Sequence, residues 1–268
     1  MVRRALPPRS RVALTRIDAV VLAGGARDAV AALTPGAPNK AFVTVGGKTL
    51  VERTLVALRA TPAVRRIVVV TPAAASGRRE LALADELRSD GATMAQSLRS
   101  GLEARDPNEL VLVCASDLPI LSRPAVEEFL TLARRSDSDL VYACVERAVH
   151  VARYPGVPHT WARLSDGTYC GGGIVALRPR VLPTLGGLLG RLGAARKNPL
   201  RLAAIFGPAI LARYALGRLR IADAERRATQ LLGARASAAI CTHPEIAVNV
   251  DRPSDVAVAE RLVARENA

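Results

Sequence analysis

The chain has 268 residues, of which half are hydrophobic but only 3% are aromatic, and its formal net charge is +14. This length fits one large domain or two small ones with a sizeable core, which Ala, Val and Leu must build. The excess of arginine suits anionic partners such as nucleotides, phosphorylated metabolites or an anionic membrane surface, although a GC-rich genome produces the same composition. Aromatic side chains for base stacking are too few to favour a nucleic-acid binder.

Cysteine usage and the N-terminal segment indicate a protein of the reducing cytoplasm. The four cysteines lie far apart and form no CxxC pair, which argues against a zinc site and against a disulfide framework. Residues 1–16 are basic and lack the apolar segment of a signal peptide, so we predict a flexible tail there. No run of about 18 uncharged apolar residues is present, so no membrane-spanning helix is expected.

Apolar runs alternate with amphipathic segments through the first half of the chain. The run "IDAVVLAGG" (17–25) is typical of a buried strand that enters a glycine-rich loop. In chain order, the pattern then predicts a strand at 42–45, a helix at 49–60, a strand at 67–72, a helix at 93–104, a strand at 109–119 and a helix from about residue 124.

The second half begins with a predicted strand at 139–145 and a hairpin within 161–179, which turns at 165–167 and carries a triple glycine at 171–173. Residues 181–232 are apolar, arginine-rich and predicted to be helical. The chain is then expected to end with a strand, a second strand finishing at 249–251 and a closing helix.

Strands that are apolar on both faces and alternate with helices predict a three-layer α/β fold around a doubly wound, mostly parallel sheet. We expect a single domain over 17–268, with residues 181–232 as a helical insertion. Ligands of such sheets bind at the carboxyl ends of the strands. Gly24 and Gly25 follow the first strand and Asp117 follows a later one, so all three are expected at that edge.

The segment "GGKT" (46–49) resembles the end of an ATP-binding P-loop. That motif requires a further glycine five residues before the one that precedes the lysine, and Phe42 occupies the position. The intervening residues are β-branched or aromatic and are typical of a strand. We therefore predict a tight turn that leads into a helix, and no P-loop.

A series of short motifs in a fixed order points to a family. "VVLAGG", "NKAFVTVGGKTLVERTL", "SLRSGL", "LVCASDLPIL", "GGGIVALRP" and "NVDRPSDVAVAERL" together resemble the MobA-like nucleotidyltransferases over about 17–263. That family includes the enzymes that attach GMP or CMP to the molybdenum cofactor, and relatives that act on sugar phosphates and other phosphorylated acceptors. The resemblance implies the fold of the nucleotide-diphospho-sugar (GT-A-like) transferases. It also implies that NMP is transferred from GTP or CTP to a phosphorylated small molecule, with release of pyrophosphate.

The resemblance assigns a triphosphate site to the glycine loop and to a lysine that follows it. Glycines bring backbone N–H groups close to phosphate oxygens because no side chain intervenes. Lysine adds a point charge, and Lys40 is one of only three lysines in a chain that otherwise uses arginine. A solvated surface lysine is the alternative for Lys40. The nucleotide-binding residues expected in this way are Leu22, Ala23, Gly24, Gly25, Lys40, Ser97 and Asp117.

A magnesium site is expected at two aspartates. Asp117 ends a buried strand, where an unpaired carboxylate is costly, and Mg²⁺ typically takes one or two carboxylates plus substrate phosphates. By resemblance, Asp117 is the first ligand and Asp251 the second, with Asn249 as the fallback. A helix N-cap before Pro253 is the alternative for Asp251. Lys40 and Asp117 are the predicted catalytic residues.

The remaining site residues rest on resemblance alone. Ser97 matches a position near the nucleobase or ribose, although a small residue at a helix start gives the same pattern. Gly171, Gly172, Gly173 and Asn249 match the acceptor side, and a bulge or tight turn is the alternative for the glycines.

Two departures from the family keep other functions open. Relatives carry Arg-Met-Gly soon after the glycine pair, whereas this chain has Arg27 followed by "AVAALTPG", so an inactive nucleotide-binding protein is one alternative. A nucleotide-sugar-dependent glycosyltransferase is another, but such enzymes usually hold their metal with two acids one residue apart, and Pro119 stands where the second would be. The apolar run 202–216 within the insertion suits core cover or a dimer partner, and less well a membrane surface. The oligomeric state stays open.

Overall fold

The computed structural model describes residues 16–195 and 204–266, and its centre is a mixed, mostly parallel sheet. The strands are β1 (Ile17–Leu22), β2 (Thr44–Val45), β3 (Lys48–Thr49), β4 (Val64–Thr71), β5 (Glu86–Ser89), β6 (Val111–Ala115), β7 (Leu140–Glu146), β8 (Ala162–Leu164), β9 (Gly167–Leu177) and β10 (Ala236–Cys241). The large sheet has the order β10-β7-β9-β6-β1-β4-β5, with β8 added to β9, while β2 and β3 form a separate hairpin. Only β9 among these sheet strands runs antiparallel to the neighbours β6, β7 and β8.

Helices cover both faces of the sheet. They are α1 (Leu50–Arg59), α2 (Met94–Leu102), α3 (Arg123–Ser136), α4 (Arg147–Arg153), α5 (Leu182–Ala195), α6 (Pro208–Ala215), α7 (Ile221–Leu232) and α8 (Pro253–Glu266). Val21 of β1 packs in one core cluster with residues of α1 and α3, and its neighbour Val20 packs in another with residues of α2, α5 and α7. Because successive strand residues point to opposite faces, β1 is buried on both sides. The predicted three-layer, doubly wound fold is confirmed.

The segment 46–49, which resembles the end of a P-loop, lies in a hairpin. Gly46 and Gly47 adopt φ of +54° and +76° between β2 and β3, as a two-residue hairpin turn requires, and α1 begins at Leu50. The predicted tight turn is therefore confirmed. The strand predicted at 42–45 is mostly wrong, because Asn39 accepts a hydrogen bond from the Ala41 N–H and residues 40–42 form a 3₁₀ turn.

The second strand predicted near the C terminus is also wrong. Residues 244–247 form a 3₁₀ helix that begins at Pro244, and the chain from 248 to 252 has no regular structure. The apolar pattern comes from burial, since Ile246, Val248 and Val250 are all buried. The Val250 N–H donates to the Asp117 carbonyl oxygen at 3.1 Å, which brings the C-terminal segment against the end of β6.

The predicted insertion, 181–232, contains α5, α6 and α7, and its residues 196–203 lie outside the described part of the chain, as does most of the predicted tail. The helix α7 packs on the edge strand β10, and α5 packs on α2 and α7. None of the residues of α6 is buried. In the described ranges, no helix is both long enough and apolar enough to cross a membrane.

Candidate active site

The predicted site residues gather at the carboxyl edge of the sheet. β1 and β6 are parallel neighbours, and Gly24 and Gly25 follow the first while Asp117 follows the second. Lys40 lies in the 3₁₀ turn after the glycine loop, and Asp251 lies in the irregular segment held by Val250. Residues distant in sequence therefore converge on one edge, as expected for a ligand site of a doubly wound sheet.

Lys40 connects two carboxylates. Its Nζ lies 2.5 Å from Asp117 Oδ2 and 2.8 Å from Asp251 Oδ1. The Asp117 side chain is only 8% exposed, whereas that of Asp251 is 58% exposed. One ammonium group thus joins a buried acid to an exposed one, at the place where strand β6 ends. Lys40 is not a free surface lysine.

The electrostatics of this group follow from burial and close pairing. Burial lowers the pKa of Lys40, but the charges of Asp117 and Asp251 outweigh it and raise that pKa above its usual value. Burial raises the pKa of Asp117, and Lys40 only partly offsets this. The ammonium group is therefore firmly charged, while the positive charge near Asp117 does not fully compensate for the burial of its carboxylate. A second cation beside Asp117 would supply the remaining positive charge.

The residues present fit a magnesium ion. Asp117 Oδ1 is buried and has no hydrogen-bond partner, so one lone-pair face of this carboxylate is unused. Asp251 adds a second carboxylate, and the Asn249 side-chain amide donates a hydrogen bond to it. Within 16–195 and 204–266, no group of three or more His, Cys, Asp or Glu side chains could hold a metal by itself. Two carboxylates that leave room for phosphate oxygens and water match the coordination that Mg²⁺ prefers.

Asp251 does not cap the closing helix α8. The Asp255 carboxylate accepts the N–H groups of Asp251 and Arg252, at 3.1 and 2.8 Å. The Asp251 side chain points instead to Lys40 and Asn249. The N-cap alternative for Asp251 is therefore not what the structure shows, and its carboxylate is available to the site.

The glycine loop is held by Asn39 and Asp90. The Asn39 amide donates to the carbonyl oxygens of Ala23 and Gly25, at 2.9 and 3.3 Å. Asp90 follows β5 and accepts the Gly25 N–H at 2.9 Å. A Cβ at Gly24 would overlap the Asp90 side chain, and Gly25 has φ of +109°, so glycine is required at both positions. Leu22 and Ala23 lead into this loop from β1.

We predict that Asn39→Ala loosens this loop. Asn39 is buried and makes hydrogen bonds with two loop carbonyls and the Ala41 N–H, and their loss leaves buried backbone groups unpaired. The expected loss in free energy of unfolding is about 1–3 kcal/mol. The denaturant concentration at the midpoint of unfolding and the affinity for NTP should both fall. The control is Asn108→Ala, on the exposed loop before β6, and equal behaviour of the two variants would contradict the prediction.

Ser97 lies one turn into α2, beside the loop that carries Asp90. Its hydroxyl accepts the Gly91 N–H at 3.0 Å, and the residue is buried. Thr93 caps this helix, with Gln96 completing a capping box. Ser97 therefore fixes the turn that places Asp90 against Gly25. Its contact with a base or ribose stays a prediction.

A cavity of about 420 Å³ opens beside Asp117 and Asp251. The triple glycine of β9 forms part of its wall, and a Cβ at Gly171 would overlap the Tyr142 hydroxyl group. The β7–β9 register shifts between Tyr142 and Cys144, so the bulge expected as an alternative is also present. Further lining residues are His159, Thr160, Gly172, Gly173, Asn249 and Arg252. The residues predicted for the acceptor side thus share one cavity with both predicted metal ligands.

Sheet order and site define a class, the nucleotidyltransferases, and comparisons with known proteins agree. Residues 19–237 match the model of the MobA-like NTP transferase domain. A hypothetical transferase from Thermus thermophilus is 34% identical, with a TM-score of 0.78 over 90% of this chain and 99% of that one. The chain belongs to the MobA-like NTP transferase family, and it is an NTP-dependent nucleotidyltransferase.

More distant structures share the fold. The 2-C-methyl-D-erythritol 4-phosphate cytidylyltransferase from Thermus thermophilus is 21% identical, with a TM-score of 0.53 over 93% of this chain and 99% of that one. A nucleotidyl transferase from Methanothermobacter thermautotroptrophicus is 20% identical, with a TM-score of 0.57 over 94% and 99% of the two chains. At these identities the likeness concerns the architecture.

Proposed function

We propose that the enzyme transfers NMP from CTP or GTP to the phosphate group of a small acceptor, with Mg²⁺ as cofactor and pyrophosphate as leaving group. The observation that carries the proposal is the contact of one lysine with Asp117 and Asp251, between a glycine loop and a cavity. The glycine loop suits a triphosphate, and the cavity suits a small acceptor.

In this reaction an acceptor phosphate oxygen attacks the α-phosphorus of the NTP. A new P–O bond forms, the bond between the α-phosphorus and the bridging oxygen breaks, and that oxygen leaves with pyrophosphate. Lys40 holds the triphosphate by its charge, while backbone N–H groups of Gly24 and Gly25 receive phosphate oxygens. Asp117 and Asp251 would hold Mg²⁺, which supplies positive charge against the phosphates when it is bound. No side chain needs to form a covalent intermediate.

The identity of the donor base is a separate part of the proposal. The family resemblance favours GTP or CTP, and the name of the Thermus thermophilus cytidylyltransferase supports testing CTP first. Asp90 and Ser97 lie beside the glycine loop. Asp90 follows β5, and β1 and β4 separate β5 from β6, the strand that Asp117 follows. We place the nucleoside near these residues.

The first experiment is a thermal-shift panel of the common NTPs with and without Mg²⁺. An NTP at 100 times its Kd should stabilise the fold by about 2.7 kcal/mol, and we expect that shift for one base and only with Mg²⁺. Pyrophosphate release is then assayed with a panel of sugar phosphates, polyol phosphates and pterin phosphates. Stabilisation by nucleotide-sugars instead of NTPs would favour a glycosyltransferase. Magnesium-dependent NTP binding that yields no pyrophosphate with any acceptor would favour an inactive nucleotide-binding protein.

Tyr142→Ala is predicted to weaken acceptor binding selectively. The ring lies against Gly171 in the cavity wall, and the residue is 42% exposed, so its face is available to a substrate. Loss of one aromatic contact should raise the acceptor KM roughly tenfold, with an unchanged NTP KM. Tyr169→Ala, which alters a tyrosine outside the cavity lining, is the matched control. A rise in the NTP KM instead would place Tyr142 on the donor side.

A further inference from the structure

The helix α6 shows an apolar surface to the outside. Its sequence is "PAILARYA", and none of its residues is buried. Tyr214 is 43% exposed, and Leu216, directly after the helix, is 66% exposed. Ile205 before the helix is buried, and Ile210 and Leu211 are half-buried, so α6 covers the molecule with one side and leaves Tyr214 and Leu216 at the surface. An exposed apolar surface of this kind usually marks an interaction site.

The surroundings of α6 are strongly basic. From Gly207 to Ala222 the sequence contains three arginines, Arg213, Arg218 and Arg220, and no Asp or Glu. Arg213, Arg218, Arg220 and Arg226 line one shallow cavity of about 380 Å³ between α6 and α7. Asp223 is the one acid among its described lining residues, and it is buried and already paired with Arg213 and Arg226.

The chain on both sides of α6 is fixed to the rest of the molecule. Before the helix, the buried Ile205 accepts a hydrogen bond at its carbonyl oxygen from Arg227 Nη2 at 2.6 Å. Arg213 Nη1 lies 3.2 Å from Asp223 Oδ1, and the Arg218 N–H donates to the Arg213 carbonyl at 2.7 Å. The carbonyl of Leu219, which is buried, accepts the Ser165 N–H at 2.8 Å. Arg218 and Arg220 therefore follow the exposed Leu216 in a segment that is held in place, and Tyr214 and Leu216 are at the surface without any unfolding.

We propose that α6 docks the enzyme on an anionic phospholipid membrane. We call the surface formed by the exposed residues Tyr214, Leu216, Arg218 and Arg220 the α6 patch. Apolar side chains enter the boundary between headgroups and acyl chains while arginines meet anionic headgroups, as in interfacial amphipathic helices. The patch lies on the membrane and does not span it. A second copy of the chain is the poorer fit, because a two-fold contact would set arginines against arginines.

The test is vesicle co-sedimentation of the full chain. We expect binding to vesicles with about one third phosphatidylserine and little binding to pure phosphatidylcholine. Neutralising both arginines, Arg218→Gln with Arg220→Gln, should weaken binding roughly 30-fold. Leu216→Ser should weaken it at least about tenfold through lost apolar burial. Pyrophosphate release in solution should stay unchanged in all of these variants, because the patch contains no residue assigned to the nucleotide or acceptor sites.

Matched controls separate the α6 patch from general charge. Arg261→Gln with Arg265→Gln removes the same charge from exposed positions of α8, and Leu83→Ser removes an exposed leucine near the opposite edge strand β5. These should change binding less than about threefold. Equal losses in patch and control variants would overturn the proposal, as would equal binding to neutral vesicles. A dimer in sedimentation velocity that Leu216→Ser abolishes, without vesicle binding by the wild type, would assign the patch to a second copy.

Discussion

Lys40→Ala is expected to lower the rate of nucleotidyl transfer about 10²–10³-fold. The ammonium group is the positively charged side chain in contact with both carboxylates of the site, and loss of one preorganised donor to a developing negative charge costs about this much. Magnesium-dependent NTP stabilisation in a thermal-shift assay should fall with it. Pyrophosphate release under single-turnover conditions measures the chemical step directly.

Lys48→Ala is the matched control. Lys48 is the lysine of the P-loop look-alike and is exposed at the start of β3. Its removal should leave the rate within about twofold, since surface substitutions away from special features have small effects. If Lys48→Ala lost activity and Lys40→Ala kept it, both the assignment of the triphosphate site and the rejection of the P-loop would be wrong.

Lys40→Ala should also reveal the metal site without any assay of activity. In Lys40→Ala the carboxylates of Asp117 and Asp251 face each other without a cation, so the free energy of unfolding should fall by about 1–3 kcal/mol in the absence of Mg²⁺. Added Mg²⁺ should then raise the Tm of Lys40→Ala more than that of the wild type. An equal response of the two proteins would argue against a metal between these acids.

The sequence pattern predicted the parts of the site that follow buried strands. β1 and β6 are apolar on both faces, so their ends were visible, and with them the positions of Gly24, Gly25 and Asp117. Placing Lys40 depended on the family resemblance and on the rarity of lysine. Local patterning could not show that Lys40 contacts Asp117 and Asp251, because these contacts join residues far apart in the chain.

Residues missed by the sequence analysis act through long-range contacts. Asn39, Asp90 and Tyr142 support the loop and the cavity wall from segments with little periodicity or with an ordinary strand pattern. Asp90 follows β5, a half-exposed strand of "ELRS" that the apolar pattern did not indicate. The wrong C-terminal strand has the opposite cause, because Ile246, Val248 and Val250 are buried without pairing in a strand.

The two ends of the sheet contain buried aspartates with opposite electrostatics. At the amino end of β1, Asp18 is paired with Arg65 at 2.9 Å and Arg105 at 2.7 Å. Burial raises the pKa of Asp18, but hydrogen bonds and charges from these arginines outweigh it and lower the pKa below its usual value. At the carboxyl end, burial raises the pKa of Asp117 despite Lys40. One aspartate is placed for stability, and the other is left short of positive charge.

Asp117→Asn should therefore abolish activity while the fold survives. The change keeps the shape of the side chain but removes the carboxylate that would hold Mg²⁺, and several kcal/mol of charge stabilisation correspond to a rate loss of at least about 10³-fold. Because the folded state raises the pKa of Asp117, its ionised form costs stability at neutral pH. The neutral amide should change the free energy of unfolding by less than about 1 kcal/mol.

Asp18→Asn is the matched control and should show the reverse. Because the folded state lowers the pKa of Asp18, its ionised form stabilises the protein above the unfolded pKa of about 3.9, and this contribution is lost as the pH falls through the folded pKa. At pH 7 the variant should lose about 3 kcal/mol of unfolding free energy yet keep its rate of transfer, and the difference from wild type should shrink below about pH 4. Urea unfolding at several pH values, with pyrophosphate release on the same samples, measures both. If Asp117→Asn proved the less stable variant and the more active one, the division of roles between the two edges of the sheet would be wrong.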